Sequence, residues 1–437
     1  MELKDKLLTS FFAFEEQVDV DAPVHAIRTQ AIKEFEEKGF PSKKQEEWKY
    51  TSLNSLIKED YSVFPKEENF VDYNDVKRFF IQGIDTYDIV FIDGIYSSHL
   101  SNTTHEKIDA CLMSAALAQP KYTAIIDQYF NKAAAKDSLV SLNTAFFKEG
   151  AYIRIPKNTV SDKPIQIVNF STGSESALML QPRNLIVVEE NAQVQIIERH
   201  QSLNENPVFT NVVTEIFADK NAVVDYYKIQ NDRNEASLID NTSLIQKSDS
   251  NCSVHTFSFG GKITRNNLNF HQEGTGVTST LNGVTIIEGK QHVDHHTLVN
   301  HTQPNCESFQ DYKGIFSGNS TGVFNGKVIV EKEAQKTNAF QSNNNILLDE
   351  KATINSKPQL EIFADDVKCS HGCTIGQIDE DALFYLRSRG IPMKEARALM
   401  MYAFANNVLE NVKIPEIKKK INKQIASKLG VSLGFDL

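Results

Sequence analysis

Cys369-Ser370-His371-Gly372-Cys373 is the stretch of this chain best suited to chemistry. On an extended strand, side chains at i, i+2 and i+4 point to one face, so Cys369, His371 and Cys373 would present two thiols and an imidazole together. Soft thiolate and imidazole are the donors that iron, zinc or an iron–sulfur cluster takes up. The set is incomplete by itself. Ligands two residues apart on a strand are separated by about 6.5–7 Å at Cα, and three ligands fall short of a closed structural zinc site. No complete metal site is therefore expected within one chain, although a second chain could supply the missing donors. Without such a partner, the plainer reading is a set of buried structural residues.

Other candidates are weaker. The run HVDHHTLVNHTQPNC holds His292, His295, His296 and His301, followed by Cys306. Strand alternation puts His292 and His296 on one face and His295 and His301 on the other, so one site cannot collect all four. Hydrogen-bonded histidines stacked along the fold are the favoured reading. Two glycine–lysine pairs fail as phosphate loops, whose backbone amides require Gly, four residues, then Gly-Lys-Ser/Thr. Gly261-Lys262 is followed by Ile263, with Thr256 at the first glycine position, and Gly326-Lys327 is followed by Val328, with Thr321 there. The sequence contains no Gly-x-Ser-x-Gly elbow and no His-Glu-x-x-His.

The elements that would position CSHGC change along the chain. Val24, Ile27, Ala31, Ile32 and Phe35 recur at helical spacing and stop at Lys38-Gly39. Trp48, the only tryptophan, lies among charges in GFPSKKQEEWKYTSL and reads as an anchor between layers. Residues 85–100 turn strand-like and 111–147 return to helical spacing. From Ala151 the texture becomes short β-branched and aromatic runs between Gly, Asn and Asp turns: AYIRIP, PIQIVNF, NLIVV, QVQIIE, AVVDYY, VHTFSF, GVTII, KVIVE, NILLD. Asn191-Ala192, Asn221-Ala222 and Asn251-Cys252 recur every 30 residues, each before an alternating strand. A repeating turn–strand unit predicts stacked coils, with a β-sandwich as the rival. From Asp379, Leu383 and Leu386 begin a short helix ended by Gly390 and Pro392. A second helix is predicted from Met393 to about Glu410, and a basic third one follows Pro415. The expected organisation is a mostly helical region at 1–150, a β-helix core at 151–376 and a helical region at 377–437.

Bulk properties narrow the function classes. The 437 residues exceed what one small core needs, and 41% hydrophobic with 24% charged residues is ordinary for a globular protein. A formal net charge of −11 argues against nucleic acid as the main partner. Charges of both signs at Met1-Glu2-Leu3-Lys4-Asp5-Lys6 leave no room for a signal h-region, and no apolar run approaches the roughly 18–20 residues of a membrane span. Five cysteines are too few and unevenly counted for a disulfide framework, which leaves free thiols in a reducing compartment; a cytoplasmic location is expected.

Several pieces together resemble the SufB/SufD family: EEWKYTSL at 46–53, His292-Val293-Asp294 with His296-Thr297, Phe324-Asn325-Gly326, KPQLEIFADDVKCSHG at 357–372 and LFYLRSRGIP at 383–392. The CSHG–YLRSRG combination is similar to the SufD branch of the family rather than to SufB. The resemblance implies a right-handed β-helix (β-solenoid) core between N-terminal and C-terminal helical regions, acting as a non-catalytic scaffold for iron–sulfur cluster assembly. It implies pairing with SufB through the ends of the two β-helices, docking of the SufC ATPase on the C-terminal helices, and homodimerisation as an option when SufB is absent. That ATPase would carry the phosphate loop missing here. The histidine of CSHG, His371 here, is implied at the SufB–SufD interface in building the nascent cluster, with Cys369 beside it. Cys373 stands where the family pattern leads one to expect alanine, so it is either a neutral swap or an added thiol. No cofactor is expected to be held tightly by the isolated chain; a reduced flavin in the complex stays open. Two alternatives remain at this stage: a homodimeric structural protein with an intermolecular zinc site at CSHGC, and a β-helix carbohydrate-active enzyme, which would leave the C-terminal helices unexplained.

Overall fold

The computed structural model describes residues 2–16, 23–63, 69–103, 107–173 and 177–430. Its centre is a β-solenoid in which the chain passes alternately between two ten-position and nine-position ladders of strands. The first sheet runs from Ile95–Tyr96 and Tyr87–Ile92 through Gln193–Ser202, Val223–Gln230 and Asn251–Ser258 to Asn338–Leu347 and Lys368–Gly376. The second runs from Asp109–Leu112 and Ala151–Ile155 through Ala236–Gln246, Ile263–Gln272 and His292–His301 to Thr321–Val330 and Thr353–Ile362. Neighbours along both ladders are parallel. The exceptions are the outermost pairs, Tyr87–Ile92 with Ile95–Tyr96 and Asp109–Leu112 with Ala151–Ile155, which are antiparallel. Strands at residues 87–92 and 109–112 thus join the sheets well before residue 151.

Alternation explains the core. Val194, Ile196, Val224, Tyr226 and Cys252 of the first sheet face Ile186, Ile216, Leu244, Leu268 and Phe270 of the second, all essentially buried. Each such side chain contributes roughly 1.5–3 kcal/mol by leaving water. The residues between them point outward and are covered by helices. Leu3–Glu15, Pro23–Lys38 and Ser138–Phe146 pack on the outside of the second sheet through Phe11, Phe35 and Leu142 against Phe209, Ile239 and Ile263. Glu380–Ser388, Met393–Asn406 and Pro415–Lys428 belong to the cluster that covers Tyr227, Phe257 and Val284 on the first sheet. The order helix, β, helix follows the sequence reading, with Asp379 capping the first C-terminal helix by accepting from the amides of Asp381 and Ala382.

The turn repeat is real but differs in register from the dipeptide pattern. Asn158, Asn191, Asn221 and Asn305 all have φ near 60°, a left-handed corner that Asn tolerates because its short amide bonds locally. Asn221 Nδ2 donates to Asn191 Oδ1 at 2.8 Å, and Asn191 Nδ2 to Asn158 Oδ1 at 2.8 Å, so the corners form an amide ladder. The corner after Asn221 is Asp249, with φ 61°. Asn251 lies in the strand instead, opposite Val223, so the third dipeptide matched in spacing alone. The buried position beneath each corner is what recurs: Ala192, Ala222, Ser250, Cys306 and Thr337 are all fully covered.

Candidate functional site

Among the described residues, the strand Lys368–Gly376 is the last of its sheet and pairs on one edge only, with Asn338–Leu347. Cys369 lies opposite the buried Ala339, His371 opposite Gln341 and Cys373 opposite Asn343. Ala339, Gln341 and Asn343 face the solenoid interior, so Cys369, His371 and Cys373 continue that inward face one coil further, where no coil follows among the described residues. They share the face that alternation predicts. Cys369 is half-buried while His371 and Cys373 are exposed. Burial pushes the Cys369 thiol up, with a backbone hydrogen bond from Ala339 acting the other way. The other thiols stand apart: Cys252 and Cys306 are buried and Cys111 is half-buried on the strand Asp109–Leu112.

A supporting layer sits directly behind His371. Gln341 is 3% exposed, and neither its amide nitrogen nor its carbonyl oxygen has a hydrogen-bond partner among the described residues. A methyl group on Gly326 would come within 2.2 Å of Gln341 Nε2, so Gly326 of the Phe324-Asn325-Gly326 motif keeps space for this amide. Next along the interior, Thr297 Oγ1 donates to Gln310 Oε1 at 2.7 Å, and Gln310 is the register partner of Gln341. An unpaired buried amide is costly, and here it stands one coil from an exposed imidazole.

The histidine run forms no single site. His295 Nε2 lies 2.8 Å from Thr285 Oγ1 and His301 Nε2 lies 2.9 Å from Ser308 Oγ, both inside the solenoid. His292 and His296 are on the outer face, beneath the segment containing Glu46 to Thr51: His292 Nε2 is 2.8 Å from Thr51 Oγ1. His296 is held between two carboxylates, with Nε2 3.0 Å from Asp294 Oδ1 and Nδ1 3.2 Å from Glu47 Oε2. Arg265 Nη1 donates to Asp294 Oδ2 at 2.8 Å and to the Glu47 carbonyl at 2.7 Å, and its guanidinium stacks 3.8 Å from the Trp48 ring centre. Burial alone would raise the Asp294 carboxyl, but Arg265 and His296 outweigh it and hold it well below the usual carboxylate range. Burial would likewise lower His296, but Asp294 and then Glu47 leave its imidazole above the ordinary value. Three pieces of the family resemblance, EEWKYTSL, HVDHHT and FNG, therefore converge on this strap: Glu47, Asp294, His296 and Asn325 line one small pocket. Trp48 is the anchor that the sequence suggested.

One cluster was missed. Glu198, His200 and Asp240 lie inside the solenoid with ligand atoms within 4.8 Å of one another. Extending the alternation set by Val194 and Ile196 places Glu198 and His200 on the inward face; that was the available signal. Asp240, on the opposite sheet, gives none.

The sequence matches two family profiles, "SufBD protein N-terminal region" over residues 2–167 and "SUF system FeS cluster assembly, SufBD core domain" over residues 170–404. It is 33% identical over 395 residues to an iron–sulfur cluster assembly SufBD family protein of Synechocystis, covering 88% of this chain and 87% of that one. It is 28% identical to the iron–sulfur cluster assembly protein SufD of Escherichia coli, covering 90% of each chain. The SufD of Bacillus subtilis is also 28% identical, over 76% of this chain and 77% of the relative.

Proposed function

Because this chain belongs to the SufBD family of iron–sulfur cluster assembly proteins, we propose that it is the SufD-type scaffold subunit of a SufBCD complex. In this reading the last coil joins the β-helix of SufB, and Cys369 and His371 face the space in which iron and sulfide, the cargo, are assembled. The observation that carries the reading is the open inward face of Lys368–Gly376, with a thiol and an imidazole where a further coil would otherwise stack. Strand spacing makes this half a site, and SufB supplies the other half.

His371 acts as an iron ligand through its neutral nitrogen or as a proton carrier, the two roles an imidazole offers. Gln341 behind it has the Nε2 and Oε1 of its amide without hydrogen-bond partners among the described residues, ready to fix the ring once the end is covered. Cys373 is a small-residue swap without a required role. The C-terminal helices dock SufC: Phe384 and Tyr385 on Glu380–Ser388 are 73% and 57% exposed, an apolar pair suited to a partner's groove. ATP-driven closure of SufC subunits would then twist the β-helix junction and open it, the free energy coming from differential binding in the ATPase. The chain itself is non-catalytic, works in the cytoplasm and keeps no tightly bound cluster or flavin; any reduced flavin enters with the complex. No described helix is long and apolar enough to cross a membrane.

Reconstituting the complex with His371→Ala tests the assignment. The expected result is loss of most cluster formation with intact assembly and ATPase activity; full cluster yield overturns the role of His371.

A further inference from the structure

We propose that Glu198, His200 and Asp240 form a divalent-metal site inside the solenoid, distinct from the open end. Glu198 and His200 follow each other on the inward face of Gln193–Ser202, and Asp240 projects from Ala236–Gln246 of the facing sheet. All three are buried, at 0%, 6% and 1% exposure. One imidazole with two carboxylates is the donor set of divalent first-row ions such as Mn²⁺, Fe²⁺ and Zn²⁺. Bonds of about 2.0–2.2 Å to nitrogen and oxygen require the ligand atoms, now within 4.8 Å of one another, to draw in around the ion.

Two further observations point to an ion. His200 Nε2 faces Glu198 Oε1 at 3.4 Å, an ion-pair distance, yet meets no hydrogen-bond geometry with any group among the described residues, so this deeply buried nitrogen is left with a long contact that an ion could replace by a short one. The carboxylates are also held by hydrogen bonds from neighbouring side chains, as metal-bound carboxylates are. Asn184 Nδ2 donates to Glu198 Oε1 at 3.2 Å and Tyr226 OH to Glu198 Oε2 at 2.5 Å. Thr242 Oγ1 donates to Asp240 Oδ1 at 2.9 Å.

The competing occupant is Lys228, whose ammonium is ion-paired with Asp240 and donates to Thr242 Oγ1 at 2.7 Å. It neutralises one of the two carboxylate charges. An ion would displace it from Asp240, which leads to opposite predictions for its removal. If the cluster is only an ion-pair network, Lys228→Met leaves an uncompensated charge and a less stable protein without metal. If the cluster is a metal site, the same change removes the competitor and tightens binding.

The test uses full-length protein carrying Cys369→Ser, His371→Ala and Cys373→Ser, so that the open end contributes no ligands. Co²⁺ is added to the native protein and, separately, during refolding, so that slow entry cannot hide the site. One equivalent should bind with d–d absorption of nitrogen and oxygen ligation and no thiolate charge-transfer band. K228M should bind at least tenfold more tightly, whereas H200Q and D240N, checked for native circular dichroism, should bind at least tenfold more weakly. Absence of binding in both the parent and K228M, or binding unchanged in H200Q and D240N, overturns the proposal. Neither outcome depends on the cluster-assembly role of His371.

Discussion

The two ends of the solenoid are finished in opposite ways. At the beginning, Tyr87–Ile92 and Ala151–Ile155 are each covered by an antiparallel strand, and Ile89, Phe91, Ala151, Ile153 and Ile155 are at most 2% exposed. At the far end, Thr353–Ile362 is half-covered and Lys368–Gly376 is exposed at nearly every position. A stack of coils must hide its terminal faces to remain soluble and monomeric, and an uncovered strand edge invites pairing. Pro358 on Thr353–Ile362 suits such a last layer. The closed end therefore contributes stability and the open end is free to contribute function, with Cys369, His371 and Cys373 lining it.

The difference can be broken most strongly near the closed end. Glu215 forms a fully buried ion pair with Arg183 at 2.6 Å and also accepts from the backbone amides of Asn131, Ala133 and Ala134. Glu215→Ala should cost about 3–5 kcal/mol, read as a lower denaturation midpoint. Ile153→Ala, at 0% exposure, should cost about 2–5 kcal/mol. The matching change at the open end, Ile375→Ala, at 50% exposure, should stay within about 0.5 kcal/mol in the isolated chain.

A smaller effect tests the strap between the two ends. The His296 imidazole is raised, so its contribution is complete below the ordinary histidine value and fades as pH rises through the raised one. Asp294 is lowered, so its share is lost only as pH falls below the ordinary carboxylate value of about 4. The strap around Glu47 and Trp48 should therefore loosen on the alkaline side. Limited proteolysis there should accelerate with pH relative to His296→Gln, in which that ratio stays flat. The smallest expected effect is at the open end itself: Cys373→Ala should leave cluster yield in the reconstituted complex unchanged, and a clear loss would give that thiol a role.

Much of this contrast was legible in the sequence because it rests on local periodicity. Alternation located the strands and the shared face of Cys369, His371 and Cys373, and helical spacing located Pro23–Lys38 and the C-terminal helices. What stayed hidden depends on which coil stacks on which. The Asn251-Cys252 repeat was two positions out because coil lengths vary, so spacing alone misplaced its corner. Gln341 stands behind His371, and Asp240 meets Glu198 and His200, only through inter-coil register and sheet facing. The strap joins Thr51 to His292 across 241 residues, a pairing that no local pattern encodes.

Hydrogen exchange of Lys368–Gly376, measured in the isolated chain and in complex with the SufB paralogue, tests the central claim most directly. A half-site at an open end should show fast exchange alone, where one edge of the strand is unpaired among the described residues, and protection of at least tenfold in the complex. Equal exchange in both states would contradict the claim that this end is completed by a partner.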